Sequence, residues 1–227
     1  MQKTAALLLV AVLTGSNLSA QEDSSYSITM DFPFVSDYVF RGVKFADDSI
    51  QPSIEFATGD FYAGMWTSQP VTGNIATEFD FYIGYGAALR GTWALDFGFT
   101  YYYYPETPSG DEQFEPYVGL SGDLGGGMSA SAYYYYGTEF EASTVQLSLG
   151  YSVEVSDTSI FDLAGDYGFV GFSGGGDSSY WGLSGTYNLS LRDTASTYLG
   201  LVYAGNDIGA GSDDSFFYVN TGICLGF

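Results

Sequence analysis

The 227-residue sequence contains no histidine, one cysteine and only five basic residues. Without histidine the chain cannot form a Ser–His–Asp triad, and it lacks the side chain that enzymes most often use as a general base. The single cysteine, Cys224, cannot form an internal disulfide bond. The few basic residues stand beside 27 acidic ones, and the resulting net charge of −22 argues against nucleic-acid binding.

Long hydrophobic runs are also missing, because the only marked apolar stretch lies at the N-terminus and is short. Lys3 precedes an apolar run over Ala5–Val12, and small residues follow up to Ala20. This order predicts a signal peptide over residues 1–20, whose apolar run is too short to cross a bilayer as a helix. We therefore expect a mature domain over residues 21–227, with no lipid anchor because no cysteine follows the expected cleavage site.

Glycine and aromatic residues are abundant, with 31 Gly, 21 Tyr and 18 Phe, whereas charged residues make up 14%. This composition favours an all-β barrel with glycine-rich turns. The last eleven residues, Phe217–Phe227, alternate bulky apolar side chains with small or polar ones, the period of a strand with one wet face. A strand that ends in an aromatic residue is typical of the closing strand of a bacterial outer-membrane barrel. We expect the barrel-assembly machinery to recognise it through Phe227.

Strand-like segments and turns alternate along the whole chain and predict a transmembrane, antiparallel, up-and-down β-barrel of about twelve strands. The predicted strands are Ser25–Phe34, Gln51–Thr58, Phe61–Ser68, Glu78–Leu89, Trp93–Tyr104, Phe114–Leu124, Met128–Tyr136, Thr144–Val155, Ile160–Val170, Ser179–Leu191, Ser196–Ala204 and Phe216–Phe227. The connections alternate between long and short, as in barrels with long outer loops and short periplasmic turns. The predicted long loops are Val35–Ile50, Gln69–Thr77, Pro105–Gln113, Gly137–Ser143, Gly171–Ser178 and Gly205–Ser215.

Alternation within the strands predicts which side chains face lipid and which face the lumen. In Glu78–Leu89, for example, Phe79 and Phe81 share one face and Glu78 and Asp80 the other. The pattern is clearest in five strands, whereas Phe61–Ser68 is ambiguous because aromatic residues occur on both faces. The parity places many acids and tyrosines in the lumen. The candidate pore-lining residues are Glu55, Glu78, Asp80, Asp96, Glu115, Glu154, Asp162, Asp166, Tyr82 and Tyr102, together with Arg41 from the first outer loop.

Carboxylates in a narrow aqueous path attract cations and repel anions. Arg41 has two interpretations: it pairs with lumen carboxylates and sets a constriction, or it only anchors the turn that ends at Gly42. Glu78 and Asp80 lie about 7 Å apart by strand rise, which permits carboxylate-only catalysis, but simple contact with water is the better interpretation. Adjacent acids such as Asp47 and Asp48 lack the spacing of a calcium loop, so we expect no metal site and no cofactor.

Several spaced motifs carry a family resemblance. They are Val35–Gly42 (VSDYVFRG), Gln51–Glu55, Gly59–Ser68, Glu78–Tyr85 and Tyr103–Pro105, and the family pattern is broken only at Glu106, where glycine is expected. Over roughly residues 26 to 105 the chain resembles the TorF family of outer-membrane porins. The resemblance implies an outer-membrane β-barrel and a pore, and it supplies no role for Arg41.

The sequence thus predicts a monomeric, non-enzymatic porin in the outer membrane of a Gram-negative cell. We expect passive diffusion of small hydrophilic solutes, with cations or neutral molecules preferred, and contact with outer-membrane lipids and lipopolysaccharide. The alternative is a non-conducting barrel that serves as a structural or surface-interaction protein. A closed barrel should match its inward acids with inward bases, and only four basic residues remain after Lys3 is removed with the signal peptide (five minus one).

Overall fold

The computed structural model describes residues 26–73, 77–106, 112–208 and 215–227. The predicted signal peptide lies outside these residues. The strands are β1 (Ser27–Val35), β2 (Tyr38–Phe40), β3 (Val43–Ala46), β4 (Ser49–Ile50), β5 (Ser53–Thr58), β6 (Phe61–Pro70), β7 (Glu78–Ala88), β8 (Trp93–Tyr103), β9 (Gln113–Gly125), β10 (Met128–Gly137), β11 (Ala142–Ser156), β12 (Ser159–Phe172), β13 (Asp177–Arg192), β14 (Ala195–Asn206) and β15 (Ser215–Gly226). Within the described residues, no helix is long and apolar enough to cross a membrane.

The wall is a closed antiparallel barrel of twelve strands. Each of β6 to β15 pairs with its sequence neighbour, and β1 pairs with β15 on one side and with β4 and β5 on the other. Because β4 and β5 lie end to end between β1 and β6, they form a single wall strand. The backbone of Ile28 exchanges two hydrogen bonds of 2.9 Å with Phe227. The C-terminal strand therefore closes the barrel, as the sequence predicts, and the fold class is confirmed.

The wall alternates as the sequence predicts, with apolar side chains outside and polar or aromatic ones inside. On β11, Val145, Leu147 and Leu149 are exposed on the outer surface, whereas Thr144 and Gln146 are buried on the inner face. An exposed band of large apolar side chains is stable only in contact with lipid, and closure leaves no unpaired strand edge. This surface is that of a membrane-spanning barrel.

The structure resolves the ambiguous strand β6, where Tyr62 and Trp66 are buried on the inner face and Phe61 is exposed on the outer one. It also corrects two predicted long loops. The β10–β11 connection covers only residues 138–141 and the β12–β13 connection only 173–176, because the flanking residues continue the strand ladders. The long loops still lie at one end of the barrel, which by the rule for such barrels is the outer end.

The first outer loop, predicted over Val35–Ile50, contains the hairpin β2–β3, which the sequence analysis did not predict. Its strands pair with each other and not with the wall. Val35, Tyr38 and Ala46 form a buried cluster with Trp66 of the inner wall. The hairpin thus folds inward, into the outer part of the lumen.

Candidate functional site: the lumen and the hairpin that crosses it

The inward hairpin turns at Arg41 and Gly42, whose φ angles are +48° and +73°. Two consecutive left-handed residues make the tight two-residue turn whose twist matches that of a hairpin. Glycine adopts this conformation freely, whereas Arg41 does so at a cost of about 1–3 kcal/mol. The contacts of the Arg41 side chain offset that cost.

Arg41 binds Glu115 of β9 through two parallel hydrogen bonds, Nη1 to Oε2 at 2.7 Å and Nη2 to Oε1 at 2.8 Å. The hydroxyl of Tyr102 donates a third hydrogen bond to Glu115, at 3.0 Å. The guanidinium also lies 4.8 Å from the ring centroid of Phe40 and 4.7 Å from that of Tyr135. The Arg41 side chain is 12% exposed and that of Glu115 is 3% exposed, so this is a bidentate, charge-assisted pair with little access to water.

Gly42 reaches the opposite part of the wall. Its carbonyl accepts a hydrogen bond of 2.5 Å from the side-chain amide of Asn206 on β14. A Cβ atom on Gly42 would lie 2.4 Å from the carbonyl oxygen of Gly205 and 2.8 Å from Cβ of Tyr180, so only glycine fits. The hairpin therefore extends across the lumen, from Glu115 on β9 to β13 and β14.

The base of the hairpin is held by a second ion-pair group. Nζ of Lys44 lies 2.5 Å from Asp37 and 2.6 Å from Asp47, and hydrogen bonds to these carboxylates raise the pKa of Lys44. Below it, the hydroxyl of Tyr38 donates a hydrogen bond of 2.8 Å to Glu78 on the wall. Both basic residues of the first outer loop are thus engaged by carboxylates.

Deeper in the lumen, tyrosines converge on Asp96 of β8. The hydroxyls of Tyr62 and Tyr133 donate to its two oxygens at 2.8 and 3.2 Å, and Tyr62 and Tyr117 lie 2.5 Å apart, hydroxyl to hydroxyl. Inward glycines on neighbouring strands make room for the rings: a Cβ atom on Gly119 would lie 2.1 Å from the ring of Tyr133. We call these four polar residues, Asp96, Tyr62, Tyr117 and Tyr133, the Asp96 layer.

Tyrosine hydroxyls therefore satisfy inward carboxylates that the sequence analysis expected to need bases. Glu78 accepts hydrogen bonds from Tyr38 and Tyr104, and Asp31 accepts one from Tyr198. Of the predicted acids, only Glu115 bonds to an arginine among the described residues. The shortage of lysine and arginine is thus no argument for a wet lumen, since neutral donors can satisfy a buried carboxylate.

All of the candidate pore-lining residues lie on the inner face or in the hairpin. Buried on the wall are Glu55, Glu78, Asp80, Tyr82, Asp96, Tyr102, Glu115 and Asp162. Asp166 is partly exposed, and Glu154 is exposed at the short-turn end of β11. The structure brings Arg41, Tyr102 and Glu115 together, whereas Glu154 has no contact with this group. That these residues line a conducting pore stays a prediction.

One side of the lumen carries small side chains that keep solvent access. Two rows of paired positions cross β10 to β13: Ser131, Ser148, Asp166 and Gly182 form one row, and Ser129, Gly150, Ala164 and Ser184 form the next. All of them except Gly182 are partly or fully exposed although they point inward. We call these two rows the small-residue wall.

Sequence reasoning missed the hairpin residues Tyr38 and Gly42 and their wall partner Asn206. The signal was present, because the alternating stretches around Arg41-Gly42 have the form of two short strands joined by a two-residue turn with glycine in second place. In the described residues no group of three or more His, Cys, Asp or Glu side chains is arranged to hold a metal ion.

Solved structures with this fold include two porins and an outer membrane channel. The KdgM porin aligns with a TM-score of 0.63 at 9% identity, covering 88% of this chain and 99% of the porin. The NanC porin aligns with a TM-score of 0.59 at 14% identity, covering 86% and 98%. The COG4313 outer membrane channel from Pseudomonas putida F1 gives 0.52 at 9% identity, covering 93% and 98%. The shared fold, together with the apolar outer surface, places the protein in the outer membrane.

No curated protein matches this sequence. The resemblance to the TorF family stays a prediction, since none of these three channels bears that name. A family model does match residues 19–216, which is most of the chain. The chain belongs to the family described as "Bacterial protein of unknown function (Gcw_chp)".

Proposed function

We propose that the protein is a porin-like channel through which small hydrophilic solutes diffuse passively across the outer membrane. The observation that carries this proposal is the small-residue wall, where Ser148 and Asp166 point inward and keep solvent access. A barrel of twelve strands is wider than the filled eight-stranded barrels and narrower than the open sixteen-stranded ones. A slim path along one side of the lumen agrees with that size.

In this proposal the hairpin sets the constriction. It crosses the outer part of the lumen and is fixed at both sides, by Glu115 and by Asn206. Solutes must pass beside the hairpin, so only small molecules fit through the channel. Cations and neutral molecules are favoured over anions because the guanidinium of Arg41 is paired with Glu115 and leaves no free positive charge in the described lumen.

The test is the conductance of refolded mature protein in a planar bilayer, with the reversal potential measured under a KCl gradient. Stable steps with a cation-selective reversal potential are expected. Steps with anion selectivity would keep the channel and contradict the charge preference. A matched control is the Arg41→Ala variant, in which the constriction is weakened and each step should be larger.

A second candidate, a non-conducting structural barrel without enzymatic activity, is favoured by a different observation. The hairpin and the Asp96 layer bury large side chains across much of the lumen; Tyr133 and Tyr180 are each only 2% exposed. If neither the folded wild type nor the folded Arg41→Ala variant gives conductance steps, this candidate is supported and the channel is refuted.

A further inference from the structure

The inward acids differ in how they are satisfied: several accept hydrogen bonds from neighbouring side chains, whereas Glu55 and Asp80 each bury one carboxylate oxygen without a partner. Asp96 and Glu78 each accept two tyrosine hydroxyls, Glu115 binds Arg41, and Asp162 accepts hydrogen bonds from Ser152 at 2.5 Å and Asn188 at 2.8 Å. These carboxylates are buried within their own contacts. A solute that moves through the lumen cannot reach their oxygens without breaking those contacts.

Asp166 has no such contacts. Among the described residues, no donor hydrogen-bonds its carboxylate and no lysine or arginine pairs with it, yet it points inward and keeps solvent access. Its partners across the sheet are small, Ser148 on β11 and Gly182 on β13, and a Cβ atom on Gly182 would lie 2.6 Å from Oδ1 of Asp166. The carboxylate of Asp166 thus packs against the backbone of Gly182, in space that a larger residue would occupy.

The position of Asp166 along the barrel is also distinctive. It lies near the middle of β12, two residues from Gly168, over which the Tyr180 ring packs, and Tyr180 in turn contacts the hairpin tip at Gly42. Glu154, another exposed inward acid, lies at the far rim of β11, where bulk water screens it. Asp166 is therefore the free carboxylate that a solute meets just beneath the hairpin.

We infer that Asp166 is the residue that determines the charge selectivity of the channel. This inference rests on the proposed function and names its solute class: small cations are concentrated at Asp166 and small anions are repelled. The oxygens of Asp166 are open to direct contact with a passing ion, whereas those of Asp162 are occupied by hydrogen bonds from Ser152 and Asn188.

The experiment compares four proteins in planar bilayers under a KCl gradient: wild type, Asp166→Asn, Asp166→Glu and Asp162→Asn. Asp166→Asn should lower the permeability ratio of K⁺ to Cl⁻ by roughly an order of magnitude, because a unit charge about 5 Å away in water favours K⁺ and disfavours Cl⁻ by about fourfold each. Asp166→Glu should keep the ratio. Asp162→Asn, which removes a carboxylate from the same strand, should change it much less.

A wild-type ratio that survives in Asp166→Asn, or that falls equally in Asp162→Asn, would overturn the role of Asp166 while leaving the channel intact. Absence of steps in the wild type would overturn the channel and this role with it. A second readout needs no conductance: Ser148→Cys, which lies opposite Asp166, should react faster with a cationic than with an anionic water-soluble thiol reagent in a Cys224→Ser background. Adding Asp166→Asn should abolish that preference. Failure of the new cysteine to react, or a preference that survives Asp166→Asn, would also overturn the inference.

Discussion

Replacing Arg41 by alanine removes the attachment that holds the hairpin to β9. The carboxylate of Glu115, only 3% exposed, would lose both guanidinium hydrogen bonds and keep only that from Tyr102. Breaking a buried ion pair by removing one partner costs about 3–5 kcal/mol. The two aromatic contacts, with Phe40 and Tyr135, add roughly 0.5–2 kcal/mol each. Since each 1.4 kcal/mol is a factor of ten, the population of the released hairpin should rise about a hundredfold or more.

Two assays measure this release independently. In the bilayer, Arg41→Ala should give larger conductance steps than wild type. On intact cells, trypsin should cut at Lys44, which the folded hairpin protects through its bonds to Asp37 and Asp47. The Arg41→Lys variant separates charge from geometry, because it keeps the positive charge and loses the bidentate contact. Its step size and its rate of cleavage at Lys44 should lie between those of wild type and Arg41→Ala.

The double variant Arg41→Ala/Glu115→Gln tests the physical reason. If the cost comes from an unpaired buried charge, removing that charge should recover much of the thermal stability that Arg41→Ala alone loses. The reasoning would be refuted if Arg41→Ala left the step size, the Lys44 cleavage rate and the unfolding temperature unchanged, since the hairpin would then be held by other contacts.

Two further substitutions test the lumen packing and the lipid face. Gly119→Ala should destabilise the folded barrel, because its Cβ would meet the Tyr133 ring at 2.1 Å, whereas Gly86→Ala, with nothing within 4 Å, should have little effect on the unfolding temperature. Leu149→Arg should cost about 2–4 kcal/mol, and Val155→Arg, near the end of the same strand, about 0–1 kcal/mol. Stability is measured by urea unfolding in lipid. Equal losses of stability for the two glycine variants, or for the two arginine variants, would contradict the lumen and lipid positions assigned to these residues.

The strands of the wall could be predicted from the sequence because lipid on the outside and polar groups on the inside require apolar and polar side chains to alternate. Lipid outside and polar contacts inside give β11 and β15 alternations that remain readable without structure. Strand ends are less constrained: Gly137 and Gly171 have the composition of loop residues, yet both pair in the ladder, and the loops beyond them are shorter than expected.

The partners across the lumen could not be predicted in the same way. Parity assigns Glu115 to the inner face, but its pairing with Arg41 joins residues 74 positions apart. It depends on a hairpin whose short strands pair only with each other, so the alternation that lipid imposes on the wall does not extend to them. Similarly, no pattern in the sequence indicates that Asp96 is satisfied by tyrosines from β6 and β10, because a hydroxyl donor can serve an acid from any strand of the ring.

The hairpin tip is attached unequally to the two sides of the lumen, and this difference bears on how the hairpin moves. Large rings pack over inward glycines on both sides, as Tyr133 does over Gly119 and Tyr180 over Gly168, and such packing leaves little freedom. The hairpin tip is held to β9 by the bidentate Arg41–Glu115 pair and to β14 by one hydrogen bond from Asn206, while Ser36 at the base of the hairpin bonds to Val219 of β15. When the hairpin yields, the weaker attachment breaks first. The gap should therefore open against β13 and β14, directly above the small-residue wall, so that constriction and selectivity act along the same side of the barrel.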